Sequence, residues 1–220
     1  MSAVYPISEQ AYPNDPNVLT FVRKIKKGAV PIFPEQISNP MPSGNCYWNA
    51  NAVAKKNGCC IVMGWSITVW PGSHVTAMHH AVVRAKDGKL YDVTKNLPKK
   101  DSHLANLFVE DDSIEINLDK APAVSSLFYE TNDNIFTKKY LSAYNAINKL
   151  EKMNSDALYN AGYRCEEQKA IAMGTKYQGN IFSDNEYFTL KEIVDLFTQA
   201  SIVLGQAIID LKNYTASSSS

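Results

Sequence analysis

With four cysteines and four histidines in 220 residues, each can be weighed singly as a bearer of chemistry. A cysteine attacks a carbonyl carbon as its thiolate, and a helix start beside an imidazole is the usual way to generate one. Such settings bring a thiol from about 8.5 into the range of roughly 3.5 to 7.5. Cys46 follows Pro42-Ser43-Gly44-Asn45, a run of breakers with N-cap chemistry, and Asn57-Gly58 supplies a helix stop. The spacing therefore predicts a helix from Asn45 or Cys46 with Cys46, Ala50 and Val53 on one face. Its start also presents free backbone N–H groups as oxyanion donors, each worth about 3 to 4 kcal/mol of transition-state stabilisation.

The base has to come from a neighbouring element. His79 and His80 are consecutive on a predicted strand, so their side chains take opposite faces. Hairpin register chooses between them. A two-residue Asp87-Gly88 turn sets Val83 opposite Asp92 and puts Asp92 on the face of His79, roughly 13 Å away at about 3.3 Å per residue. A three-residue Lys86-Asp87-Gly88 loop with Gly88 left-handed sets Val82 opposite Asp92 and makes His80 and Asp92 same-face diagonal neighbours. His80 is then the base. Asp92 orients the imidazole and stabilises its charged form, with Asn96 the weaker candidate for that place.

These residues need elements to hold them. Val18 to Lys27 reads as a helix ended by Gly28, and Pro31, Pro34, Pro40 and Pro42 predict an irregular surface segment. Cys60 to Trp70 alternates with period two, while Met78 to Ala85 and Leu90 to Thr94 form the hairpin. A helix followed by an antiparallel meander is α+β order. Beyond about Asp119, three segments read as helices: Phe136 to Met153, Asp156 to Met173, and Thr189 to Lys212 with Thr189 as N-cap. The expected division is a core over residues 1–118 and a helical extension over 119–220, able to pack as one domain with the core.

Composition mostly excludes. Lys+Arg and Asp+Glu balance at 22 each, without the positive field of a dedicated nucleic-acid binder. No HExxH, CxxC or comparable spacing points to a metal, and no cofactor is expected. The cysteine spacing is no disulfide framework, and the start of the chain reads as no secretory signal, so a reduced, cytoplasmic setting is expected. The apolar run Leu196 to Ile209 is shorter than a membrane span requires and reads as a buried helix; no membrane association is expected. Trp48 and Trp65 read as core or cleft wall.

The run Asn45-Cys46-Tyr47-Trp48-Asn49-Ala50, then Gly64-Trp65, His79-His80-Ala81-Val82-Val83 and Asp87-Gly88-Lys89-Leu90-Tyr91-Asp92-Val93-Thr94, resembles the transglutaminase-like branch of papain-like cysteine enzymes. The resemblance covers Gly44 to about Asn96. It implies a papain-like core, and an enzyme that hydrolyses or transfers at amide or related acyl bonds of a protein or peptide substrate. It also implies Cys46 as nucleophile, His80 as general base and Asp92 as orienter. Where papain-type enzymes carry an oxyanion Gln six residues before the Cys, this sequence has Pro40, leaving Gln36 and the Asn45 side chain as alternatives. From another class, the expectation is a non-catalytic protein-binding module on the same scaffold, with the helical extension as its interface.

Overall fold

The computed structural model describes residues 5–96, 105–177, 179 and 184–218. In chain order these form β1 (Glu9–Gln10), α1 (Pro16–Ile25), β2 (Glu35–Met41), α2 (Cys46–Asn57), β3 (Cys60–Trp70), β4 (His74–Arg84), β5 (Leu90–Thr94), β6 (Leu107–Glu110), β7 (Leu127–Glu130), α3 (Ile135–Asn160), α4 (Glu166–Met173) and α5 (Asp184–Ser217). The class is α+β: a mixed sheet with helices packed on it and a long C-terminal helix.

Two long strands carry the sheet. β3 and β4 pair antiparallel over their full lengths, from Cys60 opposite Arg84 to Trp70 opposite His74. The outer edge of β3 takes β1 and β6. The outer edge of β4 takes β7 at His74–Ala77 and β5 at only two positions, Val83 opposite Tyr91 and Arg84 opposite Leu90. Between those two partners, residues 78–82 of β4 have no second ladder neighbour among the described residues. β2 then runs parallel beside β5, with Gln36 opposite Asp92.

The β4–β5 turn explains the register. Ala85 N–H bonds Lys89 O at 2.9 Å and Gly88 N–H bonds Ala85 O at 3.0 Å, enclosing three residues with Gly88 at φ 86°. Only glycine adopts that left-handed conformation freely. This is the three-residue loop, and its count carries Val82 opposite Asp92.

Helices α1 and α2 cover the sheet through separate clusters. Val18, Phe21 and Val22 of α1 pack with Trp65, Ile67, Val75, Ala77, Leu107 and Val109. Tyr47, Trp48 and Ala50 of α2 pack with Ala81, Val83 and Val93, and with Tyr163, Cys165 and Ala172 around α4. The long helices α3 and α5 pack on each other and enclose Trp70 with Tyr140, Leu141, Ile208 and Leu211.

Several expectations are corrected. The proline-punctuated stretch contains β2, because a parallel strand at a sheet edge tolerates Pro40. Strands β6 and β7 join the sheet although their short apolar runs give little periodicity. β7 lies beyond residue 119, so that part of the chain adds a strand to the core sheet as well as helices. The expected helices meeting near Met153 are one helix to Asn160, and Gly162 follows that end. Thr189 is inside α5, its hydroxyl donating to Asn185 O at 3.1 Å, and is no cap. Nor is α5 a buried helix. Phe188, Ile202 and Val203 are 61 %, 70 % and 60 % exposed. Residues Phe188–Ser217 are long and apolar enough to cross a membrane, by length and composition.

Gly64 sits directly opposite His80. A Cβ there would lie 2.1 Å from Val109 O and 2.6 Å from Phe108 Cζ, with backbone on one side and a buried ring on the other. Gly64→Ala is therefore expected to destabilise the fold by about 3 kcal/mol or more, read as a lowered urea midpoint with unchanged slope.

Candidate active site

The site forms where the β4 ladder is interrupted. His79 and His80 fall inside the unpaired stretch, and the first turn of α2 is bonded to both sides of it. On the β4 side the Tyr47 hydroxyl lies 2.9 Å from His79 Nδ1 and donates to His79 O at 3.2 Å. On the β5 side Asn49 Nδ2 donates to Thr94 Oγ1 at 3.1 Å, and to Pro42 O at 2.9 Å. The sequence thus threads its nucleophile candidate between the two strands that hold the other members.

Cys46, His80 and Asp92 are brought together. His80 Nε2 is 3.1 Å from Asp92 Oδ2, and a carboxylate only accepts, so Nε2–H is the donor. Asp92 Oδ1 accepts from Thr94 N–H at 3.0 Å. Cys46 is the other side chain beside the His80 ring, and like Asp92 it raises the imidazole. With Nε2 engaged by Asp92, Nδ1 is the other ring nitrogen. The His80 side chain is 16 % exposed and that of Asp92 3 %, so solvent screens the pair weakly.

Burial alone would drive the His80 proton off. Cys46 and Asp92 outweigh it and hold the imidazole well above its ordinary value of 6.5. His79 behaves oppositely: burial pushes it down to about 4, Asp111 pulls it up, and His80 adds to the drop. Of two adjacent histidines, one is kept charged and the other neutral. Burial, with Cys46 nearby, also raises the Tyr47 phenol, which stays protonated.

The oxyanion candidates divide. The first intrahelical bond of α2 is Asn49 N–H to Asn45 O at 2.9 Å, and no side chain caps the helix. The N–H groups of Cys46, Tyr47 and Trp48 therefore lie outside the helical ladder, beside the sulfur. The two side-chain alternatives are corrected. Asn45 Nδ2 donates to Asn49 Oδ1 at 3.1 Å and to Gln168 O at 3.0 Å, using both its hydrogens. Gln36 Nε2 likewise donates to Asp92 O at 2.8 Å and Thr94 O at 3.2 Å, while Gln36 Oε1 accepts from Asn96 Nδ2 at 2.7 Å. Gln36 braces the strand that carries Asp92, and Asn96 supports Gln36.

Neither tryptophan is an open cleft wall. Trp48 is buried with its Nε1 donating to Leu118 O at 2.9 Å, which anchors α2. Trp65 is buried across the strand pair from His79, its ring edge-on to that imidazole, with Nε1 donating to Asp111 Oδ2 at 2.9 Å. Asp111 is accordingly buried, whereas Asp112 is exposed beside Lys26. Sequence reasoning missed Phe108, whose ring stands 6.4 Å from that of His80 in a T-shaped arrangement. Its only signal was the short run Leu107-Phe108-Val109. Among the described residues no group of His, Cys, Asp and Glu is arranged to hold a metal ion.

The ion pair has a definite pH signature. The folded chain holds the His80 proton more tightly than the unfolded chain. The resulting stability is complete below the ordinary imidazole value and is lost as pH rises through the higher folded value. Asp92→Asn removes one source of that grip. The stability gap between wild type and Asp92→Asn, from urea unfolding, is expected to be widest near about pH 6 and to narrow by about 1 kcal/mol or more at higher pH.

Compared with protein-family models, curated proteins and solved structures, the chain matches none.

Proposed function

We propose that the protein is a cysteine-dependent hydrolase or acyltransferase acting on amide or related acyl bonds of a protein or peptide, on a papain-like, transglutaminase-like core. The observation that carries this reading is His80 held between Cys46 and Asp92, with Cys46 at an uncapped helix start. A buried imidazole–carboxylate pair such as His80–Asp92 contributes little to a fold that hydrophobic residues would not. With Cys46 beside it, the pair would supply a nucleophile and a proton donor at one place.

In this mechanism the Cys46 sulfur attacks the acyl carbon, a C–S bond forms, and the carbonyl pair moves onto oxygen. The free N–H groups of Cys46 and Tyr47 at the α2 start stabilise that oxyanion. The protonated Nδ1 of His80 gives its proton to the leaving nitrogen as the C–N bond breaks, and a thioester remains. Water, or an amine in a transferase, then loses its proton to Nδ1, attacks the thioester and releases the sulfur. Asp92 keeps the ring oriented and stabilises its charged form throughout.

A binding module on the same scaffold is the second reading, favoured by the exposed apolar residues of α5. The readings part at the thiol. The four cysteines are free: Cys60 is exposed, Cys46 and Cys59 are half-buried, and Cys165 is buried. The catalytic reading expects p-nitrophenyl acetate to leave its acetyl group on Cys46, located by peptide mass mapping. Cys46→Ala abolishes this adduct and His80→Ala slows it by about a hundredfold or more. Labelling confined to Cys60, or unaffected by His80→Ala, would favour the binding module.

A further inference from the structure

Besides apolar packing, a buried polar link from Tyr47 joins the nucleophile's helix to the base's strand. The Tyr47 hydroxyl bonds to His79 Nδ1 and to His79 O, from α2 to β4. Tyr47 is the residue after Cys46, and His79 the residue before His80. Each end of the link is therefore one residue from a reacting group. The link is buried, with Tyr47 and His79 both below one-tenth exposure. It is also stiff, because the two rings stack at 5.8 Å with 25° between planes, and Trp65 closes the far side of His79 edge-on at 5.1 Å.

The link occupies the interruption in the sheet. Residues 78–82 lack a ladder partner on that edge among the described residues, and the Tyr47 hydroxyl supplies the His79 carbonyl with the donor that a neighbouring strand would otherwise give. A strand there would exclude α2, and an unfilled gap would leave the carbonyl unpaired. The phenol reconciles the two demands.

We propose that Tyr47 is a positioning residue, whose bonds to His79 set the separation between the Cys46 sulfur and the His80 ring. The proposal rests on the reading of Cys46 as nucleophile and His80 as its base. The side chain has no part in proton transfer. The titratable groups around the link are Cys46 beside Tyr47, with His80 and Asp111 beside His79, and burial keeps both Tyr47 and His79 uncharged.

The test is the rate of Cys46 alkylation by iodoacetamide across pH, in wild type, Tyr47→Phe, His79→Asn and His79→Leu, each checked for folding by its melting curve. Near pH 6 only a thiol supported by its imidazole reacts quickly, whereas near pH 10 ionisation needs no help. Tyr47→Phe is expected to slow alkylation roughly tenfold near about pH 6 and less than about twofold near pH 10. His79→Asn, which puts an amide atom at the place of Nδ1, retains most of the low-pH rate, and His79→Leu does not. If Tyr47→Phe folds and keeps the wild-type profile, the link is structural only and the proposal falls. If His79→Asn fails to preserve the rate that His79→Leu loses, the assigned contact is wrong. A wild-type profile with no fast reaction near pH 6 overturns the catalytic reading itself, a result separate from any difference among the variants.

Discussion

The fold turns on an incomplete strand pairing. Among the described residues, β4 is covered on one edge by β3 along its whole length, but on the other it is shared by β7 and β5 with residues 78–82 left between them. Unpaired strand edges are normally covered or charged. Here the edge takes a helix start, which bonds to β4 through Tyr47 and to β5 through Asn49. Because two histidines lie in that stretch and a cysteine opens that helix, covering the edge also assembles the site. Gly64 completes the arrangement from behind, giving up a side chain so that Phe108 can lie beside His80.

Local pattern made the centre of this site legible. The breakers before Cys46 placed it in a first helical turn, and α2 begins there. The Lys86-Asp87-Gly88 count put His80 and Asp92 within reach, and the turn bonds and register show that count. What pattern did not disclose depended on long-range partners. Nothing near Gln36 in sequence announces that β2 lies parallel to β5 with its amide on two β5 carbonyls. Asn45 looked like an available amide because its second acceptor, Gln168 O, is 123 residues away. Trp65 read as core or cleft wall because period two assigns a face without saying what covers it, and it is core.

The C-terminal half is tied to the site as well as attached to the sheet. α4 packs on α2, and the carbonyl of Gln168 fixes the residue immediately before Cys46. A helix start bearing a nucleophile must be held still, since misplacement by about an ångström is enough to lower a reaction rate a hundredfold. Asn45, Trp48 and Asn49 each bond outside the helix, to α4, to the Leu118 carbonyl and to β5. The first turn of α2 is consequently braced from several directions, while the N–H groups beside the sulfur are left outside the helical ladder.

The central claim is that the Cys46 thiol and Asp92 together hold the proton on the His80 imidazole. The most direct measurement is the NMR titration of the His80 imidazole in wild type and in Cys46→Ala. The account predicts a wild-type midpoint well above the ordinary imidazole value and a clear fall when the thiol is removed, with the bond to Asp92 intact. A midpoint that does not move on loss of Cys46 would contradict it, because the sulfur and the ring would then be neighbours without being partners.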